Sequence, residues 1–363
     1  RTPTGGSAVL GNQTTTVHVG DAVEMSCATF RDLSGPDGQG LDTSFSNSQI
    51  VAMAWSPDGV LYVGGVFQNA GGDSSADYLA RWNGANWEAV GPTGNVDDGF
   101  NPAITDRVTA LVFDNNGNLL VGGHFNDAAG IDLADKVAIY NPTANTWRAA
   151  NITSPFNGNI RSMAKNPQNG KVIVTGMFDN FNDNEQNRGL TEVDPSDNYS
   201  VTPIGQGLFG RYIHTSSYSP DGTLYIGGWL NGPDGMNYLA KFDGTTWSSV
   251  DGYPNPRNDA VRAIVFMGWK MLVGGNFNGV YVYDSYAKSW STLTDGQQSV
   301  GGWVRSLLVA TNKDIYIGGN FTNFNSARVI RFSDGKFEPM LDNRTGSADF
   351  TYGLSLIHIS EPT

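Results

Sequence analysis

Six copies of one short apolar pattern, each built on adjacent small residues, run along the chain. They read Tyr62-Val63-Gly64-Gly65-Val66-Phe67, Leu120-Val121-Gly122-Gly123-His124-Phe125, Val174-Thr175-Gly176-Met177-Phe178, Tyr225-Ile226-Gly227-Gly228-Trp229-Leu230, Leu272-Val273-Gly274-Gly275-Asn276-Phe277 and Tyr316-Ile317-Gly318-Gly319-Asn320-Phe321. From first glycine to first glycine, with Thr175 standing in that place in the third copy, the steps are 58, 53, 52, 47 and 44 residues. A period of this size on strand-like residues points to a β-propeller or a similar array. Propellers serve many tasks, so the fold alone does not give the function.

Each copy has the same internal order. It opens on an apolar strand: Ile50-Val51-Ala52-Met53-Ala54, Val108-Thr109-Ala110-Leu111-Val112, Val261-Arg262-Ala263-Ile264-Val265, Val304-Arg305-Ser306-Leu307-Leu308. A turn follows, clearest in Ser56-Pro57-Asp58-Gly59 and Ser219-Pro220-Asp221-Gly222, where proline presets φ and glycine accepts what the turn requires. The paired-glycine strand comes next, its small residues allowing close backbone approach. A third strand alternates, as in Leu79-Ala80-Arg81-Trp82 and Leu239-Ala240-Lys241-Phe242. The copy closes on an aromatic residue, Trp87, Trp147, Tyr199, Trp247, Trp290 or Phe337, expected to bury apolar area against the next blade. Asn278-Gly279 suits a two-residue type I′ hairpin. The same connection in the first copy is long, Gln68 to Tyr78, and such loops are where binding usually sits. The expected fold is all-β: a propeller of four-stranded blades, six visible and a seventh truncated.

Leu41-Asp42-Thr43-Ser44-Phe45-Ser46, followed by Val51-Ala52-Met53-Ala54 and Val63-Gly64-Gly65-Val66-Phe67, resembles the bacterial delta-60 repeat. Asp98-Gly99-Phe100-Asn101-Pro102 before Val108 resembles it again. The segment from Leu79 to Trp87 is similar to the kelch-like propellers of secreted bacterial proteins and fungal cortical markers. The resemblance spans residues 41–345. It implies a propeller and export to the surface, and it carries no catalytic residues. The third copy departs by losing one glycine, and the fourth places Leu230 where the pattern has Phe.

Residues 346–353 read as the lead-in to the truncated seventh unit. Residues 354–363 resemble the translation of a sequencing adapter, which places the true C-terminus elsewhere. Residues 1–40 lack the repeat. This arm offers strands at Thr14–Val19 and Val23–Cys27, either to close the ring, the favoured reading, or to pair with a neighbouring molecule.

The chain carries 22 basic and 35 acidic residues, a net charge of −13. That argues against nucleic acid and anionic membrane surfaces, which need a concentrated basic face. No apolar run is long enough to span a membrane. Cys27 is the single cysteine, so no internal disulfide forms; it is read as a buried thiol ahead of an interchain bridge. The composition fits an extracellular or cell-surface location. Sequons stand at Asn12, Asn151, Asn198, Asn320 and Asn343, and they matter only if the host glycosylates exported proteins.

No catalytic residues, metal site or cofactor are expected. The four histidines, His18, His124, His214 and His358, have no metal-binding spacing, and no Gly-x-Ser-x-Gly elbow is present. The Asp/Asn-rich stretch at 179–185 offers oxygens for Ca²⁺ but lacks the EF-hand order, and turn chemistry accounts for it better. One pattern stands above the scaffold. The second position of the first strand is Val51, Thr109, Arg161, His214, Arg262 and Arg305. Four basic or titratable groups at one repeat position are expected to ring the channel mouth and grip carboxylates, sulfates or uronic acids. The alternative is that each arginine satisfies backbone carbonyls and acidic neighbours such as Asp106 or Asp259. Tyr212, Trp229 and Trp303 stand near that face, either to stack on sugar rings or to pack between blades. The chain therefore reads first as a non-catalytic surface adhesion or structural protein that self-associates. The alternative is a glycan-binding or lyase-type propeller.

Overall fold

Every paired-glycine segment forms the second strand of a four-stranded antiparallel sheet in the computed structural model. The model describes residues 49–92, 104, 106–179, 188–204, 212–230, 232–254, 259–321, 323–324 and 329–339. The expectations for residues 1–40, for 346–353 and the seventh unit, and for 354–363 fall outside the described residues, as do Asn12, Cys27 and Asn343.

Blade 1 is β1 (Gln49–Trp55), β2 (Leu61–Val66), β3 (Leu79–Trp82) and β4 (Trp87–Ala89). Blade 2 is β5 (Val108–Phe113), β6 (Leu119–Gly123), β7 (Val137–Asn141) and β8 (Thr146–Arg148). Blade 3 is β9 (Asn159–Lys165), β10 (Val172–Met177), β11 (Leu190–Asp194) and β12 (Ser200–Pro203). Blade 4 is β13 (Tyr212–Tyr218), β14 (Leu224–Trp229), β15 (Leu239–Phe242) and β16 (Trp247–Ser249). Blade 5 is β17 (Val261–Met267), β18 (Lys270–Gly275), β19 (Tyr281–Asp284) and β20 (Ser289–Thr292). Blade 6 is β21 (Gly302–Val309), β22 (Ile315–Phe321), β23 (Val329–Ser333) and β24 (Lys336–Pro339). Each sheet runs in chain order, as the sequence pattern requires of an up-and-down meander. The described residues contain no α-helix; short 3-10 turns stand at Ala70–Gly72 and Ala128–Gly130.

The six blades stand in a ring. Their first strands touch in series, β1 on β5, β5 on β9, β9 on β13, β13 on β17 and β17 on β21, and so form the inner wall. Alternation along each strand sends one set of side chains to each neighbouring blade. Ala52, Tyr62 and Leu79 of blade 1 pack with Val108, Phe113, Val121 and Tyr140 of blade 2. The Tyr62 ring meets Phe113 edge-on at 5.3 Å. These layers are the core.

The two glycines of each pair have different neighbours. A Cβ on the first would strike the next blade: 2.3 Å from Val108 Cγ1 at Gly64, 2.4 Å from Val261 Cγ1 at Gly227 and 2.3 Å from Val304 Cγ1 at Gly274. A Cβ on the second would strike backbone of its own blade: 2.1 Å from Gln49 O at Gly65, 2.2 Å from Asn159 O at Gly176, 2.1 Å from Trp303 O at Gly319. The third copy loses only the first glycine. Thr175 is fully buried there and its hydroxyl donates to Ser162 O at 3.3 Å. The second, Gly176, stays.

Two local expectations are corrected. The closing aromatics do not reach forward to the next blade. In five blades they sit directly across the last hairpin from an aromatic of the third strand: Trp82 with Trp87, Tyr140 with Trp147, Phe242 with Trp247, Tyr283 with Trp290 and Phe332 with Phe337. They also reach back. Trp247 Nε1 donates to Ile204 O at 3.1 Å and Trp290 Nε1 to Asp251 O at 2.8 Å, both on the connection from the preceding blade. Tyr199 donates to Asp114 of blade 2 at 2.7 Å. Asn278-Gly279 is not a type I′ turn. Only Gly279 takes left-handed φ (+97°), while Asn278 bridges to Trp303 of the next blade.

These contacts predict a distinction measurable by chemical denaturation. Gly65→Ala is expected to cost about 3 kcal/mol because the obstacle is backbone. Val108→Ala should relieve part of the Gly64→Ala defect and none of the Gly65→Ala defect in a double-mutant cycle.

Candidate functional site at the mouth of the inner ring

The second glycine of each pair lies against a β-bulge in the first strand. The antiparallel register skips one residue between Ile50 and Ala52, Val108 and Ala110, Ile160 and Ser162, Ile213 and Thr215, Val261 and Ala263, and Val304 and Ser306. The skipped residues are Val51, Thr109, Arg161, His214, Arg262 and Arg305. A bulge frees one residue from the ladder and re-aims its side chain. Here that happens on the innermost strand of every blade. All six bulges lie near the start of the strand, opposite the end of the second, so they share the mouth that carries the blade connections and the second-to-third-strand loops.

Four of the six meet electrostatically. The His214 imidazole is held down at about 3, by burial first and then by the positive charges of Arg262, Arg161 and Arg305. These four come from four consecutive blades, which places three positive charges around one neutral imidazole. Arg262 Nη1 lies 3.3 Å from His214 Nδ1. A guanidinium only donates, so Nδ1 accepts and the imidazole proton sits on Nε2. Arg262 Nε also donates to Asn276 Oδ1 at 3.2 Å, and Arg161 Nη2 lies 3.2 Å from Met177 Sδ. The Arg305 guanidinium covers the Trp303 ring at 5.1 Å.

The expected ring is an arc. Thr109 is buried, and its hydroxyl donates to Ile160 O at 2.6 Å, clasping blade 2 to blade 3. Val51 is apolar. Blade 2 contributes by another route. His124, held down at about 4 by burial and then by the positive charges of Arg161 and Arg107, adds a neutral imidazole beside Arg161. Its Nε2 and Arg107 Nε are buried without a hydrogen-bond partner.

The three aromatics are partly exposed. Tyr212 is 39% exposed, Trp229 50% and Trp303 43%. Tyr212 and Trp229 face each other across β13 and β14, and Trp303 faces Asn320 across β21 and β22. All sit at the same mouth, two residues before a bulge or just after a glycine pair.

Sequence reasoning missed the residues that follow the glycine pairs: His124, Met177 and Asn276 stand beside the bulge side chains. The signal was the register, since a bulge opposite the second glycine brings the next residue alongside. Of the described sequon asparagines, Asn151, Asn198 and Asn320 are all exposed. Asn198 Oδ1 accepts from Arg148 Nη2 at 2.8 Å. Among the described residues no three His, Cys, Asp or Glu side chains gather as a metal site, and no helix is long and apolar enough to cross a membrane.

Most groups around this space can donate hydrogen bonds or present a ring face: three guanidiniums, an imidazole N–H, a carboxamide and indoles, beside the Met177 thioether. The arrangement suits an anion. A base with a pKa near 3 is too weak to take protons at neutral pH, so His214 is not matched to general-base work.

A family model described as the Rax2 C-terminal beta propeller domain matches residues 95–269. A comparison with curated proteins finds no match. Among solved structures, the chain is similar to the extracellular domain of BT4673 from B. thetaiotaomicron, with 12% identity and a TM-score of 0.57 over 84% of this chain. It spans only 35% of that protein. It is also similar to a catalytically inactive virginiamycin B lyase from Staphylococcus aureus with quinupristin, at 11% identity and a TM-score of 0.52, covering 83% of this chain and 86% of that one. PorZ, a bacterial surface component of the type-IX secretion system of Porphyromonas gingivalis, matches at 16% identity and a TM-score of 0.51, covering 74% of this chain and 37% of that one. At these identities the likeness establishes a propeller.

Titration by NMR provides the check on the arc. The His214 ring signals should stay at their neutral position down to about pH 4, where a free imidazole would already be charged. Because the folded pKa lies below the unfolded one, the unfolded chain binds the proton first. Stability should therefore fall as pH drops from about 6.5 toward about 3, and His214→Gln should flatten that slope.

Proposed function

We propose that this chain is a non-catalytic extracellular propeller that acts in surface adhesion, gripping acidic glycans through the arginine arc at its channel mouth. The observation that carries the reading is the bulge position. Arg161, His214, Arg262 and Arg305 each occupy the residue that the bulge of their blade releases from the ladder, and the three guanidiniums act together on the one imidazole. Guanidiniums brought together repel one another, so a concentrated arginine arc is costly to assemble unless an anion occupies it. Arginine is suited to carboxylate and sulfate because its fork is bidentate. The exposed Tyr212, Trp229 and Trp303 supply flat apolar faces for sugar rings beside the charges. The surface location of two of the similar proteins, BT4673 and PorZ, supports an extracellular setting.

A lyase-type reaction at the same arc is the weaker reading. It is favoured by likeness to the virginiamycin B lyase, of which the chain covers 86%, and disfavoured by the low basicity of His214.

Binding of the full chain to a uronate-rich or sulfated polysaccharide should weaken steeply as salt rises, through screening. Arg262→Ala and Arg305→Ala should each weaken it about tenfold, the loss of one charge-assisted contact. Lys in place of either should restore little, since the fork is lost. A structural subunit would instead self-associate in sedimentation and bind no acidic glycan, which would overturn the reading. Elimination products from the polysaccharide would favour the lyase.

A further inference from the structure

The turn between first and second strands is polar in most blades: Ser56-Pro57-Asp58-Gly59, Asp114-Asn115-Asn116-Gly117, Ser219-Pro220-Asp221-Gly222. Blade 5 departs. Met267 pairs with Lys270, leaving a two-residue turn, Gly268-Trp269. Gly268 takes φ +58° and Trp269 does not take positive φ, as a turn with glycine at its first central position requires. The turn lifts Trp269 to the tip, where it is 49% exposed. Tyr286, in the turn between β19 and β20 of the same blade, is 75% exposed and meets Trp269 edge-on at 5.5 Å. Neither ring is needed to close a hairpin that other blades close with Asp and Gly.

Both rings stand at the end of the sheets opposite the arginine arc. Trp269 lines a cleft between blades 4 and 5, with Phe266 and Tyr283 beside it on blade 5 and Tyr225 on blade 4. The other wall is the blade 4 turn, with Ser219 and the exposed Asp221. The turn itself fixes that carboxylate: Asp221 Oδ1 accepts from Ser219 Oγ at 2.5 Å and from Thr223 N at 3.1 Å. No basic side chain lines the cleft. An aromatic wall facing an anchored carboxylate suits a planar, weakly hydrated cation that can stack and pair at once.

We propose that this cleft seats the guanidinium of an arginine side chain presented by a partner polypeptide, stacked on the Trp269 wall and paired with Asp221. The site is independent of the arginine arc and takes the opposite charge. The net charge of the chain, −13, favours the approach of a basic segment.

The test is titration of the full chain with a short capped arginine peptide, followed by tryptophan fluorescence and calorimetry, beside the same peptide carrying neutral citrulline. Saturable binding is expected, about tenfold weaker for citrulline, for Trp269→Ala and for Asp221→Asn, the size of a desolvated cation–aromatic or charge pair. Asn at 221 keeps an acceptor for Thr223 N–H, and Trp269 is exposed, so both variants should fold. Arg262→Ala should leave this binding unchanged, which separates the cleft from the arc. Equal binding of the citrulline peptide, or full affinity in Asp221→Asn, overturns the proposal. So does the absence of saturable arginine-peptide binding. A neutral oligosaccharide that binds and is lost with Trp269→Ala but kept in Asp221→Asn would make the cleft a sugar platform instead, and would overturn it equally.

Discussion

The close approach of one glycine to one carbonyl, repeated six times, governs this structure. The second glycine of each pair lies where a Cβ would fall 2.1 to 2.3 Å from a carbonyl oxygen in, or immediately before, the first strand. That approach permits the bulge, and the bulge both bends the inner strand and releases one side chain from the ladder. The first glycine has a softer task, making room for a β-branched side chain of the following blade. Thr175 shows the difference, because a small polar residue can take that place when its hydroxyl finds Ser162 O. Blade packing, the shape of the mouth and the candidate site all follow from this pair.

Most of the architecture was legible from the chain itself. Period, strand order and turn residues are local properties, and a meander keeps sequence neighbours together in space. The position of Arg161, His214, Arg262 and Arg305 was legible for the same reason, since equal repeat positions take equal places. The partners were not. That Arg262 meets Asn276 and His214 depends on a one-residue register skip, which shifts pairing without altering the apolar pattern. The direction of the closing aromatics was misread because a large buried ring is equally consistent with its own hairpin and with either neighbour. The hydrogen bonds of Trp247 and Trp290 to the preceding connection settle it. The blade 5 cleft was missed because Gly-Trp reads as an unremarkable turn until Tyr286 is seen beside it.

The two ends of the ring differ in electrostatic character. One mouth gathers guanidiniums around a depressed imidazole, and the opposite end sets a carboxylate against aromatic rings. Burial is the larger cause of the His214 shift, with the arginines adding to it, so the site resists protonation for two separate reasons. In a chain of net charge −13, the cluster of three guanidiniums runs against the overall sign of the molecule.

The bulge residue has a further consequence for how such a chain can change. Val51 and Thr109 occupy the same place as the arginines, and the inner strands around them keep the same bulge and the same pairing. Apart from Thr109, whose hydroxyl clasps blade 3, these positions lie outside the strand ladder, and four of them cluster in space. Mutation there alters what the mouth presents without altering the blades, so recognition can drift among descendants of this sequence much faster than architecture.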